Sequence, residues 1–169
     1  MPDPDQPTLP VYPHLVIRTD GAARGNPGPA SLGAVLIDAS RPDALDPAAP
    51  PDATISEALG RQTNNVAEWT GVVRALELAR RLGAERVDLF LDSRLIVEQL
   101  HGRWRVKDAK LQPLWASTRE LLAGLRAWSA THVPRAQNAA ADSLANEALD
   151  RVAAGGPARV ARARRAPSA

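Results

Sequence analysis

The chain has no cysteine. That absence removes disulfides, thiolate nucleophiles and sulfur-ligated zinc from consideration. No apolar run approaches the roughly 20 residues that a bilayer-spanning helix requires, so neither a membrane span nor a membrane partner is expected. Residues 1–6 lack the positive region and apolar stretch of a secretory signal. Together with the missing cysteines, this makes a cytoplasmic location the expectation. There is no internal repeat. A one-sided charge is missing too, despite a pI of about 9.6. The net charge of +2 is set at the two ends. Residues 155–169 carry Arg159, Arg162, Arg164 and Arg165 without an acid, and residues 1–13 carry Asp3 and Asp5 without a base. The charges between them balance, so any surface for a polyanion has to be a local patch.

What remains is globular: 169 residues, 44% hydrophobic and 24% charged, enough for one domain with a substantial core. The proline-rich residues 1–13 read as a flexible lead, residues 14–154 as the folded domain, and residues 155–169 as a disordered basic tail. Within the domain, residues 15–20, 32–37 and 53–59 have strand character, the last two separated by a Pro- and Asp-rich hairpin loop over 41–52. A glycine-rich turn occupies 25–29. Apolar residues spaced by three or four predict a helix over 65–82, closed by Gly83. A buried-type strand at 87–91 follows, then helices at 94–100 and about 110–125, a short strand at 128–133 and a last helix at 138–152. Trp69, Trp115 and Trp128 fall inside these patterns and read as core, while His14 and His101 belong to no constellation. Three strands followed by alternating helix and strand predict an α/β sheet of mixed direction.

Four acids stand at the junctions of these elements: Asp20 at the end of one strand, Asp92 at the end of another, Glu68 and Asp142 near the starts of helices. Each has a plain alternative. Asp20-Gly21 is also a turn dipeptide. Glu68 has capping-box spacing from Asn65. Asp92 precedes a helix it would cap, and Asp142 reads as a solvated helix residue. If the fold gathers the four, they form a hard carboxylate site suited to Mg²⁺ or Mn²⁺. Acids at matching ends of neighbouring parallel strands, about 4.8 Å apart, are able to share an ion, and the carboxyl ends of strands are where open α/β sheets bind ligands.

The local sequences around the acids are Thr19-Asp20-Gly21-Ala22-Ala23-Arg24-Gly25-Asn26-Pro27-Gly28-Pro29, Thr63-Asn64-Asn65-Val66-Ala67-Glu68, Asp92-Ser93 and Asn138-Ala139-Ala140-Ala141-Asp142-Ser143-Leu144-Ala145. In this order and on these elements, they resemble the type 1 ribonucleases H, which cut the RNA strand of RNA/DNA hybrids. The likeness spans roughly residues 15–149. It implies the ribonuclease H-like fold, a five-stranded mixed sheet with a three-strand antiparallel meander and two parallel strands, flanked by helices. It implies that Asp20, Glu68, Asp92 and Asp142 hold two divalent ions, Mg²⁺ or Mn²⁺. One ion would serve the attacking water and the other the leaving 3′ oxygen, yielding 5′-phosphate and 3′-hydroxyl ends. It places Gly21, Asn26, Arg61, Thr63, Asn64 and Asn65 at the substrate, with Asn26 and Asn64 at 2′-hydroxyls or base edges of the minor groove. Trp104, flanked by Arg103, Arg105 and Lys107, fits a platform along the DNA strand; its plain alternative is packing on the preceding helix. A monomer is expected.

Two departures qualify the likeness. Between Ser93 and Leu125 there is no room for the long lysine-rich protrusion of many members, so the tail arginines are candidates to assist binding. The histidine-bearing loop before the last acid is shortened to Pro134-Arg135-Ala136-Gln137. His132 stands early for that part, which leaves Arg135 as the candidate to help release product phosphate, or as a surface arginine. Beside hybrid cleavage stand two other readings: a catalytically idle hybrid- or duplex-binding module, and a nuclease of the same fold acting on double-stranded RNA.

Overall fold

The computed structural model describes residues 9–164. It contains strands β1 (His14–Ala23), β2 (Gly28–Asp38) and β3 (Ala53–Gln62), helix α1 (Asn64–Arg81), β4 (Arg86–Leu91), α2 (Arg94–Leu100), α3 (Gln112–Ala123), β5 (Ala127–His132), a 3-10 turn (Arg135–Asn138), α4 (Ala139–Ala153) and β6 (Arg159–Ala163). The sheet runs β5-β4-β1-β2-β3-β6. β1 to β3 form the antiparallel meander, and β4 and β5 join β1 in parallel. This is the mixed α/β sheet expected, with six strands rather than five.

The sixth strand corrects the reading of residues 155–169 as a disordered tail. Residues 159–163 pair antiparallel with β3, from Ala53 opposite Ala163 to Glu57 opposite Arg159. Arg151 steers the chain there, donating to Pro157 O (2.7 Å), Ala158 O (3.2 Å) and Ser56 O (2.8 Å). Residues 165–169 lie outside the described residues, as do residues 1–8 of the lead. The rest of the lead is not loose throughout. Tyr12 is buried, its amide donates to Leu82 O (2.7 Å) and its hydroxyl to Arg164 O (3.0 Å).

Side chains alternate across β1. Leu15 and Ile17 join the main core with Trp69, Val72 and Leu76 of α1, while Val16 packs on the opposite face with Ile37 and Ala44. α1 and α3 therefore cover one face. α4 covers the other, against β2, β3 and β1. The buried Trp69 ring is satisfied by Gln99 Oε1, to which its Nε1 donates at 3.2 Å. Trp115 and Trp128 are only partly buried against this core. His14 is not isolated as expected: its Nε2 lies 2.6 Å from Asp88 Oδ2, and Ser129 donates to the same carboxylate. His101 is exposed, yet it stacks on Trp128 and contacts Ala130 O at 2.8 Å. The loop over 39–52 is held by Arg41, which pairs with Asp43 (2.8 Å) and Asp52 (3.0 Å).

Two glycines set how closely the helices approach. A Cβ on Gly21 of β1 would enter the backbone of α1 at Ala67 and Glu68, and one on Gly33 of β2 would enter α4 at Ala141 and Ala145. Gly33 is the register partner of Asp20. Both faces of the sheet are thus notched beside the same aspartate.

Candidate active site

Glu68 and Asp92 are not used as caps, because Thr63 and Ser93 do the capping. Thr63 Oγ1 accepts from Val66 N (3.2 Å), so α1 begins at Asn64 and Glu68 lies beyond the first turn. The capping-box reading of Glu68 does not hold. Ser93, not Asp92, caps α2, accepting from Ile96 N at 3.4 Å. Asp142 sits in the first turn of α4, where the partial positive charge of the helix end favours an acid. Asn138 precedes that helix without capping it through its side chain.

Parallel pairing of β1 with β4 runs to Thr19 opposite Leu91, so Asp20, which lies within β1 rather than at its end as expected, neighbours Asp92 just past β4. One carboxylate oxygen from each of Asp20, Glu68 and Asp92 lies within 4.8 Å of the others. Asp142 lies outside that group of three but close enough to raise the carboxyls of both Asp20 and Asp92. Asp20 is only 7% exposed. Burial, reinforced by Asp92, Asp142 and Glu68, pushes its carboxyl up to about 8. Burial and then Asp92 push Glu68 up to about 7. Asp92 is raised by burial as well, partly offset by Arg135 and His132.

Such a cluster is electrostatically unbalanced, and a divalent cation is the group that balances it. Oxygens on one Mg²⁺ at about 2.1 Å are at most ~4.2 Å apart. Only one pair of three can be trans and the cis pairs stand about 3 Å apart, so carboxylates within 4.8 Å of one another draw in on binding. The donor set is all oxygen, which suits Mg²⁺ or Mn²⁺ and not softer metals. The acidic cluster is thus able to hold a metal ion.

The other residues singled out from the sequence fall into two groups. Asn26, Thr63 and Asn64 interlock at the start of α1: Asn64 Oδ1 accepts from Ala23 N (2.8 Å), and Asn26 Oδ1 accepts from Asn64 N (3.2 Å). Gly21 lies directly beneath them, against α1. Arg61 and Asn65 are exposed at the same edge. Trp104 is 44% exposed, and its ring is faced by Arg94, 5.8 Å from its centroid. Of its basic neighbours, Arg103 is taken up by Glu98. His132 is nearer the acids than its position on the strand suggested, with Nε2 3.2 Å from Asp92 O. Ser93, Gly33, Arg18 and Asn138 were not read as site residues. Ser93, beside Asp92, and Asn138, which opens the motif around Asp142, carry a local signal in the sequence; Gly33 and Arg18 carry none.

The comparisons agree with this geometry. A family model described as reverse transcriptase-like matches residues 18–148. A ribonuclease HI of Halobacterium salinarum is 44% identical over 131 residues, 78% of this chain. The RNase H1 structure from that organism superposes with a TM-score of 0.73, at 43% identity, over 81% of this chain and 98% of the other. This chain is a type 1 ribonuclease H family member. Another family structure, LC11-RNase H1 in complex with RNA/DNA hybrid, gives a TM-score of 0.74 at 35% identity, covering 82% of this chain and 99% of that one. A bifunctional protein of Mycobacterium tuberculosis is 43% identical over 139 residues, 82% of this chain. The chain spans 36% of the mycobacterial relative's length and 62% of the halobacterial one's.

Proposed function

We propose that this protein is a metal-dependent endoribonuclease that hydrolyses the RNA strand of RNA/DNA hybrids, leaving 5′-phosphate and 3′-hydroxyl ends. The observation that carries this reading is the convergence of Asp20, Glu68 and Asp92 within 4.8 Å, with Asp142 near enough to act on Asp20. Two Mg²⁺ or Mn²⁺ ions would supply nucleophile activation and stabilisation of the leaving oxygen. Asp20, Glu68, Asp92 and Asp142 are the residues to hold them. Arg135, outside the carboxylates but close enough to act on Asp92, offers a cation to the scissile or departing phosphate.

The remaining residues address the substrate. Asn26 and Asn64, already locked together by backbone bonds, present their amide groups toward a minor groove where the 2′-hydroxyl separates RNA from DNA. Gly21 serves the substrate edge indirectly, by letting α1 pack closely on β1. Thr63, Arg61 and Asn65 stand at the same edge to take the DNA strand. Trp104 with Arg94, Arg105 and Lys107 forms an aromatic and basic platform further along it.

The test is incubation of labelled RNA/DNA hybrid, double-stranded RNA and double-stranded DNA with the protein, with Mg²⁺, Mn²⁺ or EDTA. Cleavage of the hybrid's RNA strand, dependent on added ion, is expected. Binding without cleavage would make the protein a binding module, and preference for double-stranded RNA would change its substrate class.

A further inference from the structure

Arg18 is 3% exposed in the middle of the sheet; among the described residues it makes no salt bridge, although Asp46 of the 39–52 loop acts on its charge from further off. Its guanidinium lies over the Phe90 ring, 4.7 Å from the centroid. Nη2 donates to Leu45 O of the 39–52 loop (3.3 Å), and Nη1 to Gln137 O of the 3-10 turn (3.5 Å). Its Nε finds no partner. A buried cation held this way contributes little to stability; an apolar side chain of similar size usually serves as well or better. What an apolar side chain lacks is the planar fork that joins two separate backbone segments.

The residue after Gln137 is Asn138, 1% exposed. Its amide nitrogen donates to Thr19 O (3.0 Å) and to Phe90 O (3.4 Å). Thr19 immediately precedes Asp20, and Phe90 stands two residues before Asp92. Asn138 itself is one helical turn before Asp142 and three residues after Arg135. One buried amide therefore ties together the elements that carry three of the four acids and the candidate cation. The arginine secures the carbonyl next to it.

We infer that Arg18 and Asn138 are positioning residues: together they fix the turn that launches Asp142 and Arg135 against Asp20 and Asp92. The inference rests on the proposed role of those acids. Carboxylates sharing an ion have to be held within about 0.5 Å of their working geometry, which demands a supporting layer of this kind.

The test compares Arg18→Met, Arg18→Lys and Asn138→Ala with the wild-type chain. Three quantities are measured: kcat and KM on a hybrid, Mn²⁺ binding followed by electron paramagnetic resonance, and melting in EDTA. Arg18→Met is expected to melt no lower than wild type in EDTA, yet to lose about 10- to 100-fold in kcat or Mn²⁺ affinity with KM unchanged. Arg18→Lys keeps the charge without the fork and is expected not to restore the loss. Asn138→Ala is expected to weaken Mn²⁺ binding and kcat by a similar factor. Variants that match wild type in Mn²⁺ affinity and kcat overturn the inference, as do losses that track a lowered melting temperature. A wild-type chain that neither binds Mn²⁺ nor cuts the hybrid overturns the functional reading instead, and the inference falls with it.

Discussion

Asp20 is the residue on which the site turns, being the most buried of the four site acids and the one whose carboxyl the other three all raise. Asp20→Asn removes both a ligand oxygen and a source of repulsion. Hybrid cleavage is expected to drop to background, while melting in EDTA at pH 8 stays level or rises. Activity assays paired with melts check this, and a variant that cuts normally removes Asp20 from the site. Arg135 is a different case, because it faces Asp92 from the short turn and holds no ion. Arg135→Ala is expected to slow turnover by about 100-fold, the order seen when one fixed donor is lost from a transition state. Mn²⁺ affinity should not move; equal loss of both would mean that the arginine shapes the metal site itself.

At the scale of elements, the helices and the inner strands were readable because their periodicity is local. α2 falls on the residues its spacing predicted, and α1 differs by a single residue at each end. The caps were misread because Asn65 and Asp92 are as competent as Thr63 and Ser93. Only the geometry of the first turn chooses between such neighbours. β6 was missed for another reason. Arg159-Val160-Ala161-Arg162-Ala163 has a single β-branched residue, and its strand state comes from the open edge of β3 and the grip of Arg151. Asn138 opens the motif around Asp142, but its bond to Thr19 spans 119 residues and is illegible locally, as is the role of Arg18. Packing at the glycine notches belongs to this scale too. Gly33→Ala would drive a methyl into the α4 backbone beside Asp142. It is expected to cost ~1–3 kcal/mol of stability by overpacking and to reduce activity by moving α4. Chemical denaturation and a hybrid assay test it, and an unchanged midpoint would show that α4 is free to slide.

For the whole molecule, the raised carboxyls link folding to pH. Asp20 titrates at about 8 in the folded, ion-free protein, against about 3.9 in an unfolded chain. Between those values the folded state keeps a proton that the unfolded state releases. Stability from this group is therefore complete below about pH 4 and is lost as pH rises toward 8. Glu68, at about 7, adds to the same slope. Melting in EDTA is expected to fall from pH 5 to pH 9, and Mg²⁺ or Mn²⁺ should flatten the decline by neutralising the acids; a flat curve in EDTA would mean that the cluster ionises without strain. The hydroxyl bond from Tyr12 to Arg164 O has a separate consequence. It brings the first and last described stretches to one corner, across a sequence gap of 152 positions. A unit whose entry and exit points coincide can be inserted into the loop of a host protein, or cut and rejoined in a permuted order, without parting its sheet.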